Sequence, residues 1–148
     1  MARVSSANGD ATATDVAGDA TVETANGDAT ATGVDGTVQL QSGNGDVEAA
    51  DCTGVRSARS GNGDVDLELP TVGGPLTAAS GNGDVAVGVP AGTDATVVLS
   101  TANGEVSAGT LTFSESESSG GRFEGTLGEG GPRLELSSGN GDVALYAL

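Results

Sequence analysis

Carboxylates have the strongest claim to chemistry in this sequence, because they recur at one fixed place. An acid directly follows Asn-Gly at Asp10, Asp28, Asp46, Asp64, Asp84 and Glu105, and again at Asp142, whose spacing makes it look displaced from the series. If successive copies stack, these acids form a column with neighbours ~5 Å apart, the strand spacing of a sheet. Like charges at that separation repel by about 1 kcal/mol in water and by more in a poorer dielectric. Relief can come from high salt, from bound cations, or from hydrogen bonds donated by turn N–H groups and Asn side chains. Asp10, Asp28, Asp46, Asp64, Asp84 and Glu105 are therefore a candidate cation column, with calcium as the ion to test and no other cofactor indicated. The competing reading has Asp and Asn satisfying the turn backbone, as both commonly do. The calcium-binding nonapeptide GGxGxDxUx keeps one residue between Gly and Asp. Here Asp46 follows Gly45 directly, so that ligand spacing is absent.

Other chemistry is thinly supplied. A polysaccharide hydrolase or lyase needs an acid and a base clustered in a groove. Asp64 and Asp66 form a carboxylate pair, yet the repeat already accounts for Asp64. There is no His, no Lys and no aromatic platform for sugar stacking, so no catalytic residue is assigned and the chain reads as a non-enzyme. Cys52 is the only cysteine. It has no His to activate it and reads as a small buried or turn residue. Thr12 and Thr14, with Thr30 and Thr32, make a short Thr-x-Thr ladder of the kind a flat ice-binding surface uses. Glu48 and Ala50 end it in the next copy, and the β-propensity of Thr explains it equally well.

The elements that must position these acids follow from the repeat. Asn-Gly-acid begins at Asn8, Asn26, Asn44, Asn62, Asn82, Asn103 and Asn140; the first three steps are 18 residues, then 20, 21 and 37. The last step reads as two coils, or as one coil with an insertion. Gly9, Gly18, Gly27, Gly36, Gly45, Gly54 and Gly63 halve the early coils, which suits a strand of five to seven residues and a tight turn per half. After each acid the first and third residues are apolar, as in Ala11 and Ala13, Val47 and Ala49, Val65 and Leu67, Val143 and Leu145. The other half-coil supplies Ala20 and Val22, Val38 and Leu40, Leu134 and Leu136 to face them. Period-two alternation of this kind marks strands. Asn-Gly is also a hairpin signal, so a row of antiparallel hairpins is the structural alternative. Recurrence of like positions every 18 residues favours parallel stacking, hence an all-β, single-stranded β-solenoid (β-helix) of 18–21-residue coils with right-handed crossovers. Arg56 breaks the alternation, as a bulge or a residue at the sheet margin would. Residues 114–132, rich in Gly and Ser, read as an irregular insertion or loop in an otherwise single domain spanning 1–148. Phe113, Phe123 and Leu127 lie in or beside that stretch and are placed to close off the core. Terminal coils expose sheet edges, here expected near Val4 and Tyr146.

Composition agrees with a thin, quasi-one-dimensional core: three aromatic residues, 26 glycines and no Trp in 148 residues. The net charge of −16 rests on 21 acids against five arginines. That excludes a basic surface for nucleic acid or anionic lipid. It suits either molar salt, where the Debye length is about 3 Å, or a surface that gathers cations. No stretch is long and apolar enough for membrane insertion. Met1 to Asp10 lacks the apolar core of a signal peptide, so the expected location is cytoplasmic, or the cell surface if the chain is cut from a precursor.

The hexapeptide SGNGDV at Ser42–Val47, Ser60–Val65, Ser80–Val85 and Ser138–Val143 resembles the DUF4097-type adhesin family of bacteria and archaea. The segments VPAGTDATVVLSTANGEVSAG, from Val89 to Gly109, and GGPRLELSSGNGDVAL also look like that family's closing coils. The resemblance covers essentially the whole chain. It implies a β-solenoid fold with no established enzymatic activity and supplies no catalytic residues. The function expected on this basis is a structural, adhesin-like module associated with the surface or envelope. The alternatives are a bactofilin-like scaffold that self-associates through its solenoid ends, and a cation-stabilised repeat protein. The partner is unknown.

Overall fold

The computed structural model describes residues 2–70, 74–90, 92–108 and 113–147. Met1 and Leu148, the ends of the expected domain, lie outside the described residues. Each coil has one strand before the Asn-Gly-acid turn and one after it. The first five coils are β1 (Ala2–Asn8) with β2 (Ala11–Thr14), β3 (Ala20–Asn26) with β4 (Ala29–Thr32), β5 (Thr37–Asn44) with β6 (Val47–Ala50), β7 (Gly54–Asn62) with β8 (Val65–Glu68), and β9 (Leu76–Asn82) with β10 (Val85–Val89). Then come β11 (Ala95–Asn103) with β12 (Val106–Ser107), the pair β13 (Phe113–Ser119) and β14 (Arg122–Leu127), and a last coil of β15 (Arg133–Asn140) with β16 (Val143–Ala147).

The first strands of the coils pair in parallel into one sheet and the second strands into another, so the molecule is a β-solenoid, not a row of hairpins. Like stacks on like: Ala20 pairs with Val38, and Ala29 with Val47. The inward residues expected from alternation are buried, among them Val22, Leu40, Val47, Leu67, Leu134, Leu136, Val143 and Leu145. The two halves are unequal, however. Strands after the early turns have four residues and those before them seven to nine, because the second corner takes more chain. At that corner Asp15, Gly33 and Asp51 have positive φ, and the next residues, Val16, Val34 and Cys52, form an inward column at 18-residue spacing. Cys52 is wholly buried. Burial raises its thiol pKa, which makes it a core residue rather than a nucleophile.

Two expectations need correction. The first concerns the order of coils. The nine-stranded sheet runs β1-β3-β5-β7-β9-β15-β11-β14-β13 and the seven-stranded sheet β2-β4-β6-β8-β10-β16-β12. The last coil therefore sits between coil five and coil six; of the two readings of the 37-residue step, one coil with an insertion is correct, the inserted piece being β13–β14, but the coil after it is placed before coil six and not beyond it. Consequently Tyr146 is not at the end of the stack: it pairs with Gly88 of β10. The far edge of the larger sheet is β13.

The second correction concerns residues 114–132. They hold most of an antiparallel hairpin, β13–β14, turned at Gly120-Gly121 and added to the larger sheet beyond β11. Phe113 and Phe123 pack against the core, with ring centroids 4.9 Å apart in an edge-on arrangement, while Leu127 is buried. Gly125 lies between the rings; a Cβ there would come within 2.6 Å of Phe113. The aromatic pair thus closes the core at this end, as expected from its place in the sequence.

Of the two readings of Arg56, the bulge is correct. Val38 pairs with Val55 but Gln39 with Ser57, leaving Arg56 as the extra, outward residue. All five arginines (Arg3, Arg56, Arg59, Arg122, Arg133) belong to strands of the nine-stranded sheet, and the seven-stranded sheet has none.

Candidate functional site

The acid column exists, and each carboxylate in it from Asp10 to Asp142 has a backbone partner. The Asp28 N–H donates to Asp10 Oδ1 at 3.0 Å, Asp46 N–H to Asp28 Oδ1 at 2.9 Å, Asp64 N–H to Asp46 Oδ1 at 2.9 Å and Asp84 N–H to Asp64 Oδ1 at 2.9 Å. The ladder continues through the inserted coil: Asp142 N–H donates to Asp84 Oδ1 at 2.8 Å and Glu105 N–H to Asp142 Oδ1 at 2.9 Å. Asp142 is thus a full member of the column, between Asp84 and Glu105, and not displaced. A hydrogen bond from an amide to an ionised acceptor is stronger than a neutral one, and it offsets the repulsion between successive exposed carboxylates.

Asn residues make a second ladder beside the first. Asn26 Nδ2 donates to Asn8 Oδ1 at 3.0 Å, and the same bond recurs from Asn44 to Asn26, Asn62 to Asn44, Asn82 to Asn62, Asn140 to Asn82 and Asn103 to Asn140 at 2.7–2.8 Å. A third ladder was not expected from the sequence. The hydroxyls of Thr24, Ser42, Ser60, Ser80, Ser138 and Thr101 donate to the carbonyls of Gly9, Gly27, Gly45, Gly63, Gly83 and Gly141 in the adjacent coil at 2.7–2.8 Å. Its signal was present as a hydroxyl residue two places before each Asn. Four of the six are the Ser of SGNGDV, and those four are buried.

The turn glycine completes the motif. Gly45 has φ +148°, a region L side chains rarely adopt, and a Cβ on it would strike the carbonyl of Gly27. Only glycine lets consecutive turns approach at the spacing the three ladders require. Every residue of Ser-Gly-Asn-Gly-Asp-Val is then used within the stack. In order they supply a hydroxyl bond, close approach, an amide rung, the turn, a carboxylate rung and a core side chain.

Away from the column the polar surface divides by face. On the nine-stranded sheet Arg3 pairs with Glu23 at 3.2 Å, Arg122 with Glu124 at 2.6 Å and Arg133 with Glu135 at 3.5 Å. The hydrogen bond from Arg122 and its charge hold the Glu124 carboxyl below its ordinary range. On the seven-stranded sheet Thr12 pairs with Thr30 and Thr14 with Thr32, giving way to Glu48 and Asp66 in register. Glu48, Asp66 and Glu68 line a shallow depression of about 220 Å³ with Thr30 and Thr32. Asp64 and Asp66 share no site: Asp64 is in the turn ladder and Asp66 on the outer face of β8. Among the described residues no three acidic or Cys side chains converge as a metal-binding group.

A family model described as Toastrack DUF4097 matches residues 2–146. No curated protein and no solved structure matches the chain.

Proposed function

We propose, for a chain that belongs to the Toastrack DUF4097 family, that it is a non-catalytic structural module. On this reading it makes adhesin-like contacts at the cell surface or envelope through the outer faces of its two sheets. The observation behind this is the internal use of the repeated motif. The hydroxyl, amide and carboxylate ladders of the Ser-Gly-Asn-Gly-Asp turn run from coil to coil, and each turn holds one acid that the ladder already uses. A repeat that ties its recurring polar groups to its own neighbours leaves the outward side chains of its broad faces freer to meet a partner. One of these mixes arginines with acids, and the other carries hydroxyls and acids. The net charge of −16 keeps such a surface soluble and apart from nucleic acid and anionic lipid.

The cation-stabilised reading has less behind it, since Oδ1 of each Asp from Asp10 to Asp84, and of Asp142, already accepts an N–H. The filament reading would use the two edges of the larger sheet, β1 and β13; the aromatic pair beside β13 covers the core there, which weighs against end-to-end stacking of cores.

Retention of the purified chain on intact cells or isolated envelopes tests the proposal. Arg56→Ser with Arg59→Ser alters one face, and Thr30→Ala with Glu48→Gln the other. One of the two pairs should lower retention while the melting temperature stays unchanged. Retention indifferent to both pairs, turnover of an envelope polysaccharide, or regular filaments in electron micrographs would overturn it.

A further inference from the structure

The last coil is held by neighbours that both precede it in the chain. β15 pairs with β9 from Leu134↔Leu76 to Asn140↔Asn82, and on its other side with β11 from Arg133↔Thr96 to Asn140↔Asn103. β16 lies likewise between β10 and β12. Coils five and six therefore form the two walls of a slot, and Arg133–Ala147 fills it with Leu134, Leu136, Val143 and Leu145, none of them exposed. The turn ladders cross the slot as well: Asp84, Asp142 and Glu105 are consecutive rungs although Asp84 and Asp142 are 58 residues apart.

One short link decides whose coil occupies the slot. β14 and β15 flank β11 on opposite sides, so residues 128–132 must cross the start of β11. Hydrogen bonds hold this crossing, among them Glu129 N–H to Asp94 Oδ1 at 3.2 Å, Gly130 N–H to Leu127 O at 3.0 Å, and Thr96 N–H to Pro132 O at 2.9 Å. The strand pairings of the insert are all with the slot walls, and would be the same if the insert came from a different molecule. The walls also precede the insert in sequence, so they are synthesised before the chain's own insert is. An element joined by a short hinge can exchange between identical chains at low cost.

We propose that the slot between coils five and six accepts the Arg133–Ala147 coil of a second copy, so that two chains associate by exchanging their last coils. The covalent link favours the chain's own insert by effective concentration, and weakening or shortening that link shifts occupancy toward the exchanged dimer.

Full-length chains test this. One carries Cys52→Ala with Thr77→Cys and the other Cys52→Ala with Glu135→Cys; Thr77 and Glu135 are register partners across the β9–β15 boundary. The two are unfolded together, refolded at high concentration and oxidised. A disulfide joining the two different chains is expected in the dimer fraction. Deleting Glu129 and Gly130 in both should move elution from monomer to dimer, and Asp94→Ala, which keeps the link length, should raise the cross-linked yield. The proposal is overturned if the deletion variant folds as a monomer. It is equally overturned if the deletion variant does not fold and neither Asp94→Ala nor the unaltered link yields the mixed disulfide.

Discussion

The carboxylate of Asp46 accepts the Asp64 N–H at 2.9 Å, and the worth of its oxygen can be measured apart from that of its charge. Asp46→Asn retains an oxygen for the Asp64 N–H while removing one of 21 acids, so it should leave the melting temperature unchanged or raise it slightly at low ionic strength. Asp46→Ala removes the acceptor and should destabilise by about 1 kcal/mol. The reverse ranking would mean that the charge itself is needed, as in a cation site. Ser60→Ala should likewise lose about 1 kcal/mol through its buried hydroxyl, whereas Ser60→Thr should be tolerated, since Thr24 and Thr101 occupy the same rung. Gly45→Ala combines a φ that L side chains rarely adopt with a clash against Gly27 and should cost about 4 kcal/mol or more, read as loss of the folded state on urea titration. The residues of this site were legible in the sequence as a column. Their partners were not, because a carboxylate beside a turn can take its N–H from its own coil or the next, and only the stacking geometry chooses.

At the scale of strands, alternation in Val65–Glu68 or Leu134–Leu136 announces itself because large apolar residues alternate with polar ones. The hairpin did not announce itself. Ser and Glu fill most of β13, and the inward Gly125 of β14 leaves an apolar position blank, so the stretch resembled a loop. Gly120-Gly121 between two polar runs was the available turn signal. The seven-stranded sheet offers a direct test of register. Gly88 faces outward between Glu68 and Tyr146, yet is buried, so the side chains around it close over β10. Burial first, then the charges of Asp66 and Glu68, raise the Tyr146 pKa. The neutral phenol is the form the fold favours. Its contribution to stability is therefore present below the ordinary tyrosine range near ~10 and disappears as pH rises through the elevated value. With one Tyr in the chain, ultraviolet titration reads this group alone, and Glu68→Gln with Asp66→Asn should lower its midpoint. A midpoint insensitive to both would place Tyr146 elsewhere.

For the molecule as a whole, the repeat made parallel stacking legible, but the order of coils was hidden. Sequence order suggests that each coil follows its predecessor, and nothing in the spacing from Asn103 to Asn140 says that the second belongs beneath the first. What selects the insertion is closure. The hairpin following β12 carries Phe113 and Phe123, which suit an end of the stack and not its middle, so the remaining coil fits only between. The net charge acts at this scale too. Screening self-repulsion should raise the melting temperature with added salt, equally for sodium and calcium chlorides at matched ionic strength; a rise peculiar to calcium would revive the cation column. Amide hydrogen exchange tests the stacked ladder and its coil order most directly. The amides of Asp28, Asp46, Asp64, Asp84, Asp142 and Glu105 lie at exposed turn positions, where an unbonded N–H exchanges fast. All six should be protected, and Asp84→Ala should unprotect Asp142 but not Glu105. Rapid exchange at these turns, or loss of protection passing directly from Asp84 to Glu105, would contradict the ladder and the place of the last coil within it.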